Sequence, residues 1–259
     1  MSSNKSLSVV FCCYNKRHAL DKSLANTMGQ LGPGDEVIVS DGGSTDGVEK
    51  MLKKKYMPEV QFVQVKEHTS YNLNSVRNLG IRAASNPFVI IFDADTIPQP
   101  GCLETHRTHA KKGVYLGGLV AFERPFKDKD GKEMMGTSLV GCHPIEEVLK
   151  QLKTDSTEVR GTMGSNLCFH VDDAYAVGLY DEDFNGSWGY DDTDFILKLH
   201  FNGVKMLNLV TRETGLAIAY HQNHPIDSEW IERSVKKNRA LLRSKIPAYR
   251  RKEFPKVAR

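Results

Sequence analysis

The sequence predicts an α/β fold, a doubly wound and mostly parallel central sheet flanked by helices, and three observations predict it. Short apolar runs alternate with helix-period segments through the first hundred residues. The run PFVIIF at 87–92 is continuously apolar, as expected of a strand covered on both faces. Each strand-like run in this half then ends in polar residues, which a parallel sheet gathers on one rim beyond its carboxyl ends.

Taken in order, LSVVFCC at 7–13 is a β-branched apolar strand, followed by a helical stretch at about 16–29. EVIVS at 36–40 is the second strand, and 44–55 reads as a helix with Ser44 or Thr45 as its cap. Residues 60–65 alternate like a strand, and 72–84 form a helix with Val76, Leu79, Gly80 and Ala83 on one face. The polar residues closing the apolar runs are Tyr14 and Asn15, then Asp41 with Gly42 and Gly43, then Asp93 and Asp95. All three groups fall on the predicted rim.

The second half is less regular. Residues 122–157 are charged, glycine-bearing and weakly periodic, which suggests an insertion or loops on the acceptor side. SNLCFHV at 165–171 reads as a strand, 186–192 as a glycine and aromatic turn, and 192–201 as a helix. Strands are expected at 204–210 and 216–221, then a basic helix at 226–244, ended by Pro247 and Pro255. The division is one domain at 1–225, with 1–100 as a nucleotide-binding half and 101–225 as the acceptor-binding and catalytic half. Residues 226–259 form a basic C-terminal helix and tail.

The 259 residues can bury one sizeable core, and no apolar run approaches the roughly 20 residues that span a bilayer. The polar start lacks the pattern of a secretory signal, and five cysteines without a CxxC pair suggest neither a disulfide framework nor a zinc site. A cytoplasmic, reducing location is therefore expected. Net charge is only +3, yet residues 229–259 hold eleven Lys and Arg against three Glu. Such asymmetry suits a polyanionic partner, a membrane surface or simply a solvated helix face.

Asp93-Ala94-Asp95 closes a buried strand, so its two carboxylates can reach one hard divalent cation, which in turn can neutralise a diphosphate leaving group. No glycine-rich loop follows the first strand, which excludes dinucleotide-dependent oxidoreductases and disfavours nucleotidyltransferases.

The order VVFCCYN, VIVSDGGSTDG, SVRNLGI and FVIIFDAD resembles the GT-A glycosyltransferases of family 2 type over roughly residues 7–100. The resemblance implies a GT-A fold and a nucleotide-sugar donor, UDP being the commonest. It implies nucleoside contacts from Tyr14, Asn15, Asp41 and Arg77, with Asp93 and Asp95 holding Mn2+ or Mg2+ on the diphosphate. NGSWGYDDTDF at 185–195 looks like the WGxED-type segment of galactosyltransferase-like C-terminal regions. Asp192 then matches the general base of inverting members, while Asp191, replacing a common Glu, orients acceptor or sugar alongside Trp188 and Gly189. A late histidine often completes the metal set in this family, and His221 at a strand end is preferred over His224. A mixed carboxylate–imidazole site favours manganese.

The chemistry wants the same parts, because a positioned carboxylate can take the proton of an acceptor hydroxyl as the sugar carbon gains positive charge. At a helix N-terminus that carboxylate is expected to be held ionised by the dipole. The acceptor stays open among a glycan, a lipid-linked glycan and a hydroxylated DNA base reached through the basic tail. The rival class is an inactive GT-A-like module that binds nucleotide or glycan without turnover.

Overall fold

The computed structural model describes residues 5–66, 71–127, 132–153, 164–211, 213–225 and 227–259. Its first half follows the pattern read from sequence. Strand β1 (Leu7–Cys13) leads to α1 (Arg17–Met28), β2 (Glu36–Asp41) to α2 (Val48–Lys55), β3 (Val60–Gln64) to α3 (Leu73–Ala83), and then β4 (Phe88–Asp93) follows. These four strands are parallel in the order β3-β2-β1-β4. Side chains of β1 alternate between two cores, with Val10 and Cys12 in one and Leu7, Val9 and Phe11 in the other. Burial on both faces is what makes such a run continuously apolar. Gly80 lets α3 lie flat on the sheet, because a Cβ there would stand 2.3 Å from Cγ1 of Val10.

Helix α2 begins later than its sequence suggests. Its N-cap is Gly47 at φ +89°, not Ser44 or Thr45. Ser44 and Thr45 are used elsewhere: the hydroxyl of Ser44 donates to Asp41, and the Thr45 N–H donates to Asn15 Oδ1. Two loops of the rim are thus tied together at the cost of a cap.

The chain continues through β5 (Thr96–Pro98), α4 (Cys102–His109), β6 (Val114–Gly117), β7 (Leu119–Lys127), β8 (Glu133–Val140) and α5 (Ile145–Gln151). After β9 (Leu167–His170) come α6 (Val171–Ala176), α7 (Asp191–Phe201), β10 (Lys205–Asn208), β11 (Val210–Thr211), β12 (Gly215–Leu216), β13 (Ile218–His221) and α8 (Ser228–Arg250). Strand β9 runs antiparallel between β4 and β6, completing a seven-stranded mixed sheet with β10 at its edge. A second sheet has the order β5-β13-β7-β8, and β11 pairs with β12. The region read as an insertion or loops therefore contains a regular antiparallel hairpin, β7–β8, and a helix. The exposure of Met134, Met135 and Leu139 on β8 erases the alternation that would have announced it. Pro247 does not end the last helix. It sits in the final turn of α8, where little of the hydrogen-bond ladder is lost, and Tyr249 beyond it is buried with its hydroxyl 2.5 Å from Asp194 Oδ1. Among the described residues no helix is long and apolar enough to cross a membrane.

The two larger sheets meet at Asn166, a fully buried residue at φ +60°. Its N–H donates to Ile91 O on β4, and its carbonyl accepts from Gly118 N. Its side-chain amide donates to Leu119 O at 2.9 Å and Ala217 O at 2.8 Å, while Oδ1 meets His106 Nε2 at 2.8 Å and the Cys102 thiol. Burial pushes His106 down to about 4, so the ring is neutral and can donate to that oxygen. Asn166→Ala should strand one imidazole nitrogen and take a donor from two buried carbonyls, of which Ala217 O keeps the Leu119 N–H, each group left unpaired costing about 1–3 kcal/mol. The expected outcome in urea denaturation is a loss of about 3 kcal/mol or more; a variant within 1 kcal/mol of wild type would refute this role.

Candidate functional site

Strand register explains the first half of the site. β13 pairs antiparallel with β5, placing His221 opposite Thr96, the residue after Asp95. The Gln222 N–H donates to Asp95 O at 2.8 Å, which locks the 221–224 segment onto the Asp-Ala-Asp turn. Asp95 is buried, with His221 Nε2 3.7 Å from Oδ1 and His224 Nε2 3.3 Å from Oδ2. Ligand atoms of these three residues all lie within 4.8 Å of one another. Burial lowers the pKa of His221, and Asp95 opposes that without reversing it, so the ring favours the neutral form that ligates metals. Its Nδ1 is buried and unpartnered, and its ring packs against Phe122 at 4.8 Å. One carboxylate and two imidazoles are a donor set that fits a first-row divalent cation.

The structure thus brings both histidines to Asp95, with His224 the nearer, where the sequence favoured His221 alone. Asp93 stands beside this cluster rather than in it. Its N–H donates to Ser165 Oγ at 3.0 Å, and Ser165 Oγ in turn donates to Thr96 Oγ1 at 3.2 Å, so one serine holds both ends of the turn. Burial pushes the Asp93 carboxyl up to about 6; Arg77 pulls it down, while Asp95 and Asp191 push it further up. Asp93 is therefore the electrostatic link between the Asp95 cluster and the carboxylates of α7.

Those carboxylates open α7 on the segment 185–190. Gly186 and Gly189 have φ of +80° and +89°, a conformation that favours glycine, and Tyr190 at +62° forms the N-cap. Asn238 of α8 donates to Ser187 O and Gly189 O, and Gly186 N donates to Tyr71 O, so the turn is held from two sides. Asp191 forms a buried ion pair with Arg77. Asp192 is half-buried, accepts from the Thr193 N–H at 2.6 Å, and is pushed up to about 7 by burial and by neighbouring Asp191. The expectation that the helix dipole would hold it ionised is corrected here: desolvation and the adjacent carboxylate outweigh a terminal dipole. Trp188 is 37% exposed, so its ring is not a core aromatic.

The expected nucleoside residues divide. Tyr14 is exposed at the rim, and Asn15, at φ +49°, binds Ser44 and Thr45 through its backbone and side chain. Asp41 is fully buried and accepts from Gly43 N, Ser44 N, Ser44 Oγ and Gln64 Nε2, so a ligand contact would have to displace one of these donors. Arg77 is also buried, between Asp191 and the ring of Tyr180, its guanidinium carbon 4.9 Å from that ring's centroid. Both residues shape the floor of the rim. Reading by sequence passed over Lys16, whose Nζ is 3.1 Å from Asp95 Oδ2, and Tyr71, whose ring lies edge-on to Trp230 at 5.1 Å. The signal for Lys16 was available: it is the basic residue directly after the turn that closes β1.

Comparison with known proteins agrees with this geometry. The family model described as "Glycosyl transferase family 2" matches residues 8–169, from the start of β1 through the end of β9. A chondroitin synthase of Escherichia coli is 27% identical over 95% of this chain, which spans only 39% of that relative's length. Among solved structures, GalNAc-T7 with UDP, GalNAc and Mn2+ superposes with a TM-score of 0.60 at 15% identity, covering 85% of this chain and 44% of that one. A mannosyltransferase from Pyrobaculum calidifontis, in complex with GDP-Man and Mn2+, superposes at 0.59 and 17% identity over 95% of this chain and 72% of its own. Fold, rim and matched segment converge: the chain has the GT-A fold and belongs to glycosyl transferase family 2.

Proposed function

We propose that the chain transfers a sugar from a nucleotide-sugar donor, a UDP-sugar, to a hydroxyl of a glycan acceptor, with inversion and with Mn2+ preferred over Mg2+. The observation that carries this reading is a single rim with two chemistries, a carboxylate–imidazole cluster at Asp95 and a carboxylate at Asp192 poised near neutrality. Asp95, His221 and His224 hold the cation, with Asp93 beside them. A divalent cation in that position would neutralise the departing diphosphate. Tyr14 and Asn15 flank the nucleoside at the exposed end of the rim, over a floor kept in shape by Asp41 and Arg77.

Asp192 accepts the acceptor proton as the acceptor oxygen bonds to the anomeric carbon and the bond from that carbon to the diphosphate breaks. The proton ends on Asp192, and the nucleoside diphosphate departs with the bond electrons. Asp191 is tied to Arg77, so it cannot share that task, and it orients the turn on which Trp188 and Gly189 meet the acceptor. GalNAc-T7 was solved with UDP and the E. coli relative is a chondroitin synthase, which favour UDP and a glycan. The basic tail favours a glycan over nucleic acid for a separate reason: Lys245, Arg251 and Arg259 are paired with Asp181 and Asp183, Glu253, and Asp172.

Two outcomes are expected. Donor hydrolysis, assayed with a panel of nucleotide sugars, should require Mn2+ or Mg2+, stop on EDTA and be lost in Asp95→Ala. Metal-independent release in that variant would remove the cation from the reaction. The second outcome concerns pH. A base raised to about 7 is protonated and inert below that value, so transfer should rise with pH through 7. Asp192→Asn should lower kcat by about 10²–10⁴-fold and flatten the profile. The stability consequence has the opposite sign. A carboxyl raised in the folded state weakens folding progressively as pH climbs from its unfolded pKa near 4 to about 7. Asp192→Asn should therefore gain stability over wild type at pH 8 and none at pH 4, as thermal melts at both values would show.

A further inference from the structure

Lys16 is the N-cap of α1, on the loop that leaves β1 for the rim. Its backbone is pinned by both neighbours. The Asn15 N–H donates to Ser44 Oγ at 2.7 Å, the Arg17 N–H donates to Asp46 Oδ2 at 2.8 Å, and the Lys16 carbonyl accepts the first helical bond from Leu20 at 2.8 Å. Helix α1 is pinned in turn to the Asp-Ala-Asp turn, because Ser23 Oγ donates to Ala94 O at 2.9 Å and Gln222 Nε2 donates to Ala19 O at 3.0 Å. Only the side chain of Lys16 is left to move, and about a third of it is exposed. Its ammonium lies 3.1 Å from Asp95 Oδ2, the oxygen that His224 also approaches, at 3.3 Å. An ammonium thus shares, in the protein itself, the carboxylate at the centre of the candidate cation cluster.

We infer that Lys16 is a positioning residue with two stations: it neutralises Asp95 while no metal is bound, and a divalent cation displaces it to become a counter-charge for the donor's diphosphate. The inference rests on the reading of Asp95, His221 and His224 as the metal cluster. Two positive charges cannot share one carboxylate oxygen without repulsion, and the divalent ion, with two imidazoles to help, outcompetes a partly exposed pair worth little in water. The displaced ammonium stays on the same rim, carried by a fixed backbone, and lysine binds phosphate oxygens as a mobile point charge. One residue would therefore weaken metal binding in the empty protein and strengthen nucleotide binding in the loaded one.

The test measures binding, not turnover. Mn2+ affinity is read by electron paramagnetic resonance without nucleotide, and UDP affinity by calorimetry at saturating Mn2+, for wild type, Lys16→Met, Lys16→Arg and Asp95→Asn. Lys16→Met should bind Mn2+ about two- to fivefold tighter than wild type, and UDP about tenfold more weakly or worse. Lys16→Arg, which keeps the charge, should stay near wild type in both and shows that the position tolerates change. Unchanged Mn2+ affinity in Lys16→Met overturns the inference, and so does unchanged UDP affinity, with the metal reading intact in either case. If instead wild type and Asp95→Asn bind Mn2+ equally, it is the cation site at Asp95 that fails, and Lys16 with it.

Discussion

The site depends on one buried junction, Ser165-Asn166. The Asp-Ala-Asp turn crosses from the seven-stranded sheet into the smaller one, since β4 ends at Asp93 and β5 begins at Thr96. Ser165 holds both ends of that crossing, and Asn166 satisfies carbonyls and an imidazole contributed by β7, the approach to β13, and α4. A side-chain amide in this position adds a donor to Leu119 O and to Ala217 O, which also takes the Leu119 N–H, and so ties β7 to the approach to β13. The left-handed φ of Asn166 is the accompanying strain, tolerated because asparagine adopts it more readily than most residues. Together with the β5–β13 pairing and the Gln222 N–H bond to Asp95 O, this junction fixes His221 and His224 against Asp95.

Electrostatics then separates two adjacent carboxylates into two environments. Asp191 and Asp192 are consecutive on α7, so their side chains diverge by roughly 100° around the helix. One meets Arg77 in the interior; the other faces the rim under the backbone of Gly164, where a Cβ would come within 3.0 Å of Asp192 Cβ. Proximity to the Asp191 carboxylate is the second cause, after burial, of the raised pKa of Asp192. Arg77 acts in the other direction on the same group, so the pair sets a compromise near neutrality. One turn further on, Asp194, Lys198 and Tyr249 form a fully buried network that fastens α7 to α8. Its charges are structural, and their burial among partners explains why they add nothing to the rim.

The parallel half of the fold was legible because strands covered on both faces must be continuously apolar, and their polar ends can only lie on the rim. Asp95 was singled out for that reason, and Asp192 by its resemblance to a family. What the sequence hid are relations between distant segments. Asn166 reads as an ordinary polar residue ahead of a strand, and nothing local marks it as the partner of four elements. His224 looked like a loop histidine until strand register brought it to Asp95. Arg77 and Asp41 were read as ligand contacts by resemblance; in the fold Asp41 accepts four hydrogen bonds from its own chain, and Arg77 pairs with Asp191 while its Nε is buried without a partner among the described residues. The hairpin β7–β8 escaped because its outer strand exposes its apolar residues, so periodicity carried no signal.

Composition also misdirects at the C-terminus, where the sequence concentrates positive charge. Arg239 and Arg243 of α8 donate to Gln151 O and Leu152 O, carbonyls at the end of α5, where the helix dipole favours a cation. Lys245 bridges Asp181 and Asp183 on the approach to the 185–190 turn, and Lys237 donates to Ser187 Oγ within it. Much of the charge therefore fastens α8 across the domain rather than forming an open field. The same helix carries Trp230 to the ring of Tyr71, beside the segment that bears Trp188. The helix read as a basic tail, suited to a polyanion, a membrane surface or a solvated face, packs against α7 and the 185–190 turn, and Lys237, Arg239, Arg243 and Lys245 help to hold it there. Tyr71, Trp188 and Trp230 thus bring aromatic rings together beside the 185–190 turn, with Trp188 exposed.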